Sequence, residues 1–326
     1  MKRKKRGYTI LWLLLAISVS LNIYLGLPHI KNLTEKVFGN REKTAVVEKG
    51  KEKDQPKKPD DKPEDKKNEK KDEKNPTVQG STKGLNHNEK AKSYAYSTKE
   101  VRENMENENY KGKKMAFLTF DDGVNNTITP RVLDTLKEKN VPATFFVVGN
   151  NIGENTKDNL KRIYDEGHSI AIHSYTHDYD ILYPDTIADT NAILKEFTET
   201  LKEVKTFLGE DFDSKVWRYP GGHRSWDQDS LKIADQELAK LGVEWIDWNA
   251  MNGDAQPENA SDGDISRPTT IQEVIANFNR SLDFTSNPNQ IVVLMHDAEG
   301  KDLTADALPQ LIDHIKSMGY EFGVLK

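Results

Sequence analysis

Residues 115–123 of this chain, MAFLTFDDG, place an apolar run directly before two adjacent carboxylates, Asp121 and Asp122. The run has the length of a buried strand, and it stops where the polar residues begin. Residues 128–140 follow with apolar side chains at helical spacing, and residues 141–149, VPATFFVVG, form a second apolar run. This strand–helix–strand order predicts parallel strands joined by a helix.

The same alternation continues to the end of the chain. Further strands are predicted at 168–173, 215–220, 243–248 and 290–297, and helices at 158–167, 190–209, 230–242, 271–282 and 308–319. Strands that alternate with helices over residues 113–326 predict an α/β domain, a distorted (β/α) barrel. An open, doubly wound sheet is the alternative with the same element order.

The N-terminal segment predicts a membrane anchor. Residues 1–7, MKRKKRG, are basic, and residues 8–27 form a long apolar run. A helix of about 20 residues spans the hydrocarbon core of a bilayer. The basic tail would stay in the cytoplasm, so the α/β domain of this single-pass protein would face outward from a Gram-positive-type cell membrane. A cleaved signal peptide is the alternative, and it would export the same domain.

A charged linker is predicted between the anchor and the domain. Residues 41–79 are mostly Lys, Glu, Asp and Pro, which cannot bury enough apolar surface to fold. Residues 84–112 are ambiguous, and a short helix leading into the domain is one interpretation. The predicted organisation is a cytoplasmic tail, a transmembrane helix, a largely disordered extracellular linker and an α/β domain, at 1–7, 8–27, 28–112 and 113–326.

The overall composition excludes several classes of protein. The formal net charge is −6, which does not favour nucleic acid as a partner. The chain has no cysteine, so it has no disulfide, no thiolate metal site and no cysteine nucleophile. Composition does not predict the oligomeric state.

Ionisable residues follow nearly every predicted strand. Because the strands of a barrel end at one face, these residues are expected to form a site. His173 and His177 would lie on one face if their segment turns helically, and with a carboxylate they would make an open, catalytic metal site. A simple turn at Asp121 and Asp122, or a structural histidine at His296, is the alternative. The strand-end set is Asp121, Asp122, His173, His177, Arg218, Asp247, Trp248, His296 and Asp297.

Five ordered motifs in the second part of the chain resemble those of the polysaccharide deacetylases, the NodB-homology group of carbohydrate esterase family 4. They are TFDDG at 119–123, HSYTH at 173–177, RYPGG at 218–222, IDW at 246–248 and LMHD at 294–297. The resemblance covers residues 113–326. It implies a distorted (β/α) barrel of the NodB-homology type that binds one divalent metal, most often zinc.

The resemblance also implies a role for each matched residue. The implied metal ligands are Asp122, His173 and His177. The implied catalytic residues are Asp121 as general base, Arg218 that keeps it ionised, His296 as general acid and Asp247 that pairs with His296. The implied oxyanion and substrate contacts are the Gly221 N–H, Tyr219, and the slot for the acetyl methyl group formed by Trp248 and Leu294.

The third motif departs from the family pattern. Gly221 stands at the oxyanion position, where some relatives carry an aromatic residue. The glycine keeps the backbone donor but supplies no side chain to the sugar groove. This puts in doubt any substrate carried over from those relatives. The resemblance implies no role for four further residues, which are His168, His223, Trp226 and Asp254.

Together these observations predict a metal-dependent N-deacetylase. It would remove acetyl groups from N-acetylglucosamine residues of a cell-envelope glycan, either peptidoglycan or a wall polysaccharide or its linkage unit. The glycan and the membrane are the predicted partners. The alternatives are an O-acetyl polysaccharide esterase and a non-catalytic carbohydrate-binding or adhesion protein on the same fold. A phosphoesterase is disfavoured, because it would require a second metal or more basic residues.

Overall fold

The computed structural model describes residues 83–259 and 264–326. The predicted tail and anchor, and the linker up to residue 82, lie outside these ranges. Among the residues that are described, no helix combines the length and the hydrophobicity required to cross a bilayer.

A curled parallel sheet forms the centre of the domain. Its strands are β2 (Met115–Asp121), β3 (Thr144–Val147), β4 (Ser169–Ile172), β5 (Val216–Trp217), β6 (Glu244–Trp245), β7 (Ala250–Met251), β8 (Gln290–His296) and β9 (Glu321–Phe322). The hydrogen-bonded order is β6-β5-β4-β3-β2-β8-β7, and β9 also pairs with β2.

This strand order is cyclic, as in a barrel. From β2 the chain adds β3 to β6 on one side, and β8 and β7 fill the other side. A doubly wound sheet would instead reverse direction at an internal switch point. Within the described ranges no pairing joins β6 to β7, so the sheet is a half-barrel that stays open there. The prediction of a distorted barrel is confirmed to this extent.

Alternation along β2 separates the inside of the half-barrel from the outside. Met115 and Phe117 belong to an interior cluster, whereas Leu118 and Phe120 pack under the surrounding helices. Side chains of a strand point alternately to its two faces. Asp121 therefore projects to the interior, at the carboxyl end of the strand.

Helices surround the sheet, most of them on its outer face, while the first packs on the interior cluster through Val101. They are α1 (Thr98–Glu106), α2 (Thr129–Lys139), α3 (Lys157–Asp165), α4 (Tyr179–Leu182), α5 (Thr190–Leu208), α6 (Gln228–Lys240), α7 (Ile271–Leu282) and α8 (Asp302–Ser317). Apolar residues at helical spacing, such as Val132, Leu133 and Leu136 of α2, are buried against the strands.

Residues 83–112, which the sequence analysis assigned to the linker, are part of the domain. Strand β1 (Ala95–Tyr96) pairs with β10 (Val324–Leu325), and Val101 of α1 is buried in the interior cluster. The Asn86 side chain donates to the Leu325 carbonyl. The boundary drawn at 113 therefore leaves out a segment that packs on the domain. Its buried apolar residues, such as Val101, are too few among polar neighbours to give a periodic signal in the sequence.

Candidate active site

Asp121 and Arg218 form a buried ion pair at the carboxyl end of the half-barrel. Arg218 Nη1 donates to Asp121 Oδ1 at 2.8 Å, and the two side chains are 0% and 2% exposed. The other guanidinium bonds go to Thr119 Oγ1 and to the carbonyls of Ile246 and Asp247. Burial raises the pKa of Asp121, and the Arg218 charge opposes that rise. The predicted pairing of these two residues is present.

Asp122, His173 and His177 come together beside this pair. Their ligand atoms all lie within 4.8 Å of one another. Nε2 of His173 and of His177 lie 3.5 and 3.4 Å from Asp122 Oδ1. That oxygen is buried and accepts no hydrogen bond from any described residue. A buried carboxylate oxygen without a donor, faced by two imidazoles, fits a bound divalent metal.

The His173 ring is oriented for metal binding. Its Nδ1 lies 2.9 Å from the Arg218 carbonyl oxygen, which can only accept, so Nδ1 carries the proton and Nε2 keeps its lone pair. Burial lowers the pKa of His173 to about 3, and the neighbouring His177 adds to this effect. The imidazole therefore stays neutral at neutral pH, as a ligand must.

A buried glutamate shapes the loop between the two histidines. Glu196 of α5 accepts hydrogen bonds from the N–H groups of Tyr175 and Thr176 and from the Thr176 hydroxyl. His177 then adopts a left-handed backbone conformation with φ of 56°. The helical turn that the H-x-x-x-H spacing suggested is absent from this segment. Glu196 lies outside the HSYTH motif, so the motif gave no indication that this residue supports the loop.

His296 pairs with Asp254. The Asp254 carboxylate is 2.7 Å from His296 Nδ1 and also accepts from the His296 N–H and the Thr304 hydroxyl. Although burial lowers the pKa of His296, the charge and the hydrogen bond of Asp254 raise it to about 9. The imidazole is therefore cationic at neutral pH. Asp121 is its register partner on the adjacent strand β2.

The predicted partnership of Asp247 with His296 was wrong. Strand β7 lies beside β8, and β6, which precedes Asp247, lies at the far end of the sheet. Asp254 follows β7, so it reaches His296. Asp247 instead accepts from the His223 N–H at 2.9 Å and holds the third-motif loop. The short strand β7 was not predicted. Had it been recognised, the rule that polar residues follow strand ends would have identified Asp254 as a candidate.

Tyr219 was predicted among the substrate contacts, but its side chain is fully buried on the outer face. It follows Arg218 by one residue, so the two side chains point to opposite faces. The Tyr219 hydroxyl donates to Asp235, which also pairs with His223 Nε2. His223 stacks on Trp245 at 3.8 Å between ring centroids. These residues support the loop and do not line the site.

Gly221 has a φ of 78°, and its N–H donates to no acceptor in the described ranges. A Cβ at this position would lie 3.0 Å from Trp226 Cζ2. Trp226 stacks on Tyr183 at 4.0 Å between centroids and donates to the Pro220 carbonyl. An indole from further along the chain therefore occupies the space beside this glycine.

The remaining residues divide between the site and the core. Trp248 packs with Leu294 in one apolar cluster, as the predicted slot requires. Asp297 is buried and bonded to the Thr129 hydroxyl, and burial raises the pKa of Asp297 to about 7. His168 lies at the opposite end of β4 and accepts from the Ala143 N–H.

A polar cavity of about 650 Å³ opens beside Asp122 and His177. Its walls come from the loops that follow β2, β3, β4 and β8. The loop residues, rather than the strands, therefore determine what can lie next to Asp121 and the Asp122, His173 and His177 cluster.

Comparisons with known proteins place these features in one family. A family model described as polysaccharide deacetylase matches residues 108–244. A peptidoglycan-N-acetylglucosamine deacetylase of Bacillus cereus is 30% identical over 66% of this chain and 70% of its own length. The chain also matches 38% of the peptidoglycan-N-acetylglucosamine deacetylase PgdA of Listeria monocytogenes, at 31% identity over 65% of this chain. The solved structure of a Streptococcus mutans CE4 esterase is 45% identical, covers 77% of this chain and 100% of its own, and superposes with a TM-score of 0.71.

Proposed function

From the premise that this chain belongs to the polysaccharide deacetylase family, we propose that it is a metal-dependent N-deacetylase of N-acetylglucosamine residues in a cell-envelope glycan. The observation that carries the proposal is the adjacency of an Asp–Arg pair, an Asp–His–His ligand set and a charged histidine at one end of the half-barrel. A general base, a metal site and a general acid are the groups that amide hydrolysis requires.

Asp121 is the general base of the proposed reaction. Its Oδ1 is bound by Arg218, while Oδ2 lies 3.7 Å from His173 Nε2 and faces the ligand set. Because burial raises the pKa of this carboxylate, it is a stronger base than an exposed aspartate. It would take a proton from the water that attacks the acetamide carbonyl.

His296 is the general acid. Its Nδ1 is bound to Asp254, so Nε2 is the atom that would deliver a proton to the departing sugar amine. The Gly221 N–H, which has no acceptor among the described residues, would donate to the oxyanion of the tetrahedral intermediate. The products would be acetate and a sugar with a free amine.

The metal in this proposal is zinc, held by Asp122, His173 and His177. When bound, it would polarise the acetamide carbonyl and lower the pKa of the attacking water. Two imidazoles and one carboxylate are a ligand set that zinc enzymes use, and it leaves positions open for water and substrate.

The apolar run at residues 8–27 supports a place for this activity at the outer face of the cell membrane. A single-pass anchor followed by a charged linker would allow the domain to reach a substrate fixed in the wall. Peptidoglycan is the first substrate to test, because the matched relatives from B. cereus and L. monocytogenes carry that substrate in their names.

The test is acetate release by the zinc-supplied protein from peptidoglycan and from N-acetylglucosamine oligomers. Asp121→Asn, with its metal content measured, should bind zinc and release no acetate. Asp134→Asn is the matched control, since Asp134 is an exposed aspartate of α2. Release from acetylated xylan but from no N-acetylated substrate would assign an O-esterase. Metal binding without release from any substrate would indicate a carbohydrate-binding protein and overturn the proposal.

A further inference from the structure

We propose that Arg102 of α1 is a positioning residue for the Gly221 N–H. It acts through two stacked aromatic rings, those of Trp245 and His223. The inference rests on the proposed function, in which the Gly221 N–H donates to the oxyanion, and adds a residue that lies outside all five motifs. Helix α1 also precedes residues 108–244, which the family model matches. The segment before the matched residues would therefore act on the rate of the reaction as well as on the stability of the domain.

Arg102 is bound to strand β6 by three contacts. Its Nη1 donates to the Trp245 carbonyl, its Nη2 donates to Glu244 Oε2 at 2.8 Å, and its Cζ lies 4.5 Å from the centroid of the Trp245 ring. The side chain is only 17% exposed, so these contacts form largely away from solvent. A guanidinium that bonds a carbonyl and a carboxylate at once has its fork held in one orientation. Arg102 therefore fixes both the backbone and the indole of Trp245.

The Trp245 indole is the next contact toward the site. The His223 imidazole stacks on it with 3.8 Å between the ring centroids and 7° between the ring planes. Nε2 of His223 lies 2.9 Å from Asp235 Oδ2, so the edge of the imidazole is bound while its face rests on the indole. The His223 side chain is also buried. An imidazole held at both its edge and its face cannot shift alone, so its position follows that of Trp245.

His223 belongs to the loop of residues 219–225, which carries the Gly221 N–H. Gly221 and Gly222 have φ values of 78° and 86°, and neither has a side chain that could hold the loop in place. Ser225 Oγ donates to the Gly221 carbonyl at 2.7 Å, so this part of the loop is bonded to itself and moves as a unit. The direction of the Gly221 N–H therefore depends on the residues that flank it, and His223 is the nearest buried side chain after it.

A second contact between α1 and this loop is weaker. Arg224 Nη2 lies 3.0 Å from Glu106 Oε1, but the two side chains are 61% and 48% exposed. Ion pairs with this degree of exposure contribute little, because water screens the charges. The observations therefore favour Arg102, rather than Glu106, as the residue through which α1 holds the loop.

The first experiment measures the loop without turnover. Hydrogen exchange of the full-length, zinc-supplied protein is followed by mass spectrometry in a peptide that spans residues 219–225. We expect Arg102→Met to speed exchange in this peptide about tenfold, because the loop opens more often when Trp245 is released. Arg162→Met is the matched control. It also removes a partly exposed arginine that pairs with two carboxylates, but α3, which carries it, packs against α2 and α5.

Exchange that is unchanged in Arg102→Met, or that rises equally in Arg102→Met and Arg162→Met, would overturn the inference. Arg102→Lys provides the measurement if Arg102→Met does not fold. It keeps the charge beside the indole but cannot bond the carbonyl and the carboxylate together, so the same change is expected to a smaller extent.

The second experiment measures catalysis. An oxyanion donor acts on the transition state, so Arg102→Met should lower kcat about tenfold and leave KM and the zinc content unchanged. Adding Arg102→Met to His223→Ala should lower kcat little further than His223→Ala alone, because both changes act through one loop. Independent effects in the double variant, or an unchanged kcat in Arg102→Met, would overturn the inference. Absence of acetate release by the parent protein would instead count against the deacetylase proposal, and the exchange measurement would still decide whether Arg102 positions the loop.

Discussion

The Asp254 carboxylate lies 2.7 Å from His296 Nδ1 and joins the loop after β7 to the end of β8. The same carboxylate accepts hydrogen bonds from the His296 N–H and from the Thr304 hydroxyl. In addition, Lys301 Nζ donates to the backbone carbonyl of Asp254. Together with the His296 charge, these contacts lower the pKa of Asp254 to about 2 in spite of its burial. The pair is therefore ionised across the neutral range, and the acid of the proposed reaction is kept charged by a residue outside the five motifs.

Asp254→Asn should move the alkaline limb of the pH profile to lower pH. His296 must be protonated to act as an acid, and its pKa of about 9 sets that limb in the parent protein. Without the Asp254 carboxylate, burial lowers the pKa of His296, and only the charges of Asp122 and Asp121 still oppose that effect. The measurement is kcat/KM for acetate release between pH 5 and 10, with a shift of at least about one pH unit expected.

Asp247→Asn is the control for that profile. Asp247 accepts from the His223 N–H and does not touch His296. Because the asparagine oxygen can still accept from that N–H, this change should leave the alkaline limb in place. A shift with Asp247→Asn and none with Asp254→Asn would contradict the assignment.

Arg218→Met should destabilise the fold because it leaves the Asp121 carboxylate buried without its counter-charge. Breaking a buried pair in this way costs roughly 3–5 kcal/mol of unfolding free energy. The double variant Arg218→Met and Asp121→Asn should lose less than the sum of the two single changes. Urea unfolding of the four proteins measures this coupling, and strict additivity would show that the 2.8 Å contact does not stabilise the fold.

Glu196→Gln should weaken metal binding although Glu196 touches no metal. Its carboxylate holds the Tyr175 and Thr176 N–H groups and so positions His177. Loss of such a supporting residue typically lowers affinity about 10- to 100-fold, whereas His177→Ala removes a ligand outright. Zinc titration of the chelator-stripped protein measures both. Glu199→Gln, a change at a partly exposed residue of the same helix, should have no effect.

Gly221→Ala should reduce acetate release far more than it reduces stability. The new Cβ must fit a φ of 78° and would meet Trp226 at 3.0 Å, so the loop that carries the Gly221 N–H has to shift. Gly319→Ala is matched in backbone conformation, with a φ of 83°, but has open space around it. Thermal unfolding and kcat for both variants separate the backbone cost, about 1 kcal/mol in each, from the effect on the site. Similar activity losses in the two would contradict this explanation.

A fragment of residues 83–326 should be more stable than one of residues 113–326. The shorter fragment loses the β1–β10 pairing, the buried side chain of Val101 and the Asn86 bond to Leu325. Strand β10 would then present an unpaired edge. Guanidinium unfolding measures the stability of both fragments. Equal denaturation midpoints would show that residues 83–112 do not stabilise the domain.

The sequence by itself determined the order of most strands and helices, apart from short strands such as β7, and the motifs at the strand ends. Both follow from local properties: apolar spacing reports which face is buried, and a polar residue after an apolar run marks the end of a strand. The parallel sheet could be predicted on that basis. The grouping of Asp122 with His173 and His177, and the contact of Asp121 with Arg218, were implied by the resemblance of the motifs to those of the polysaccharide deacetylases.

Only the tertiary structure decided which strand ends are neighbours. Asp247 and Asp254 are both acidic residues that follow a strand, and no local property distinguishes them as partners of His296. The cyclic order of the sheet places β7, not β6, beside β8. Pairing across a sheet depends on distance in space rather than along the chain. The pairing of Asp254 with His296, the support of the His177 loop by Glu196 and the asparagine-lined cavity therefore could be identified only in the folded structure.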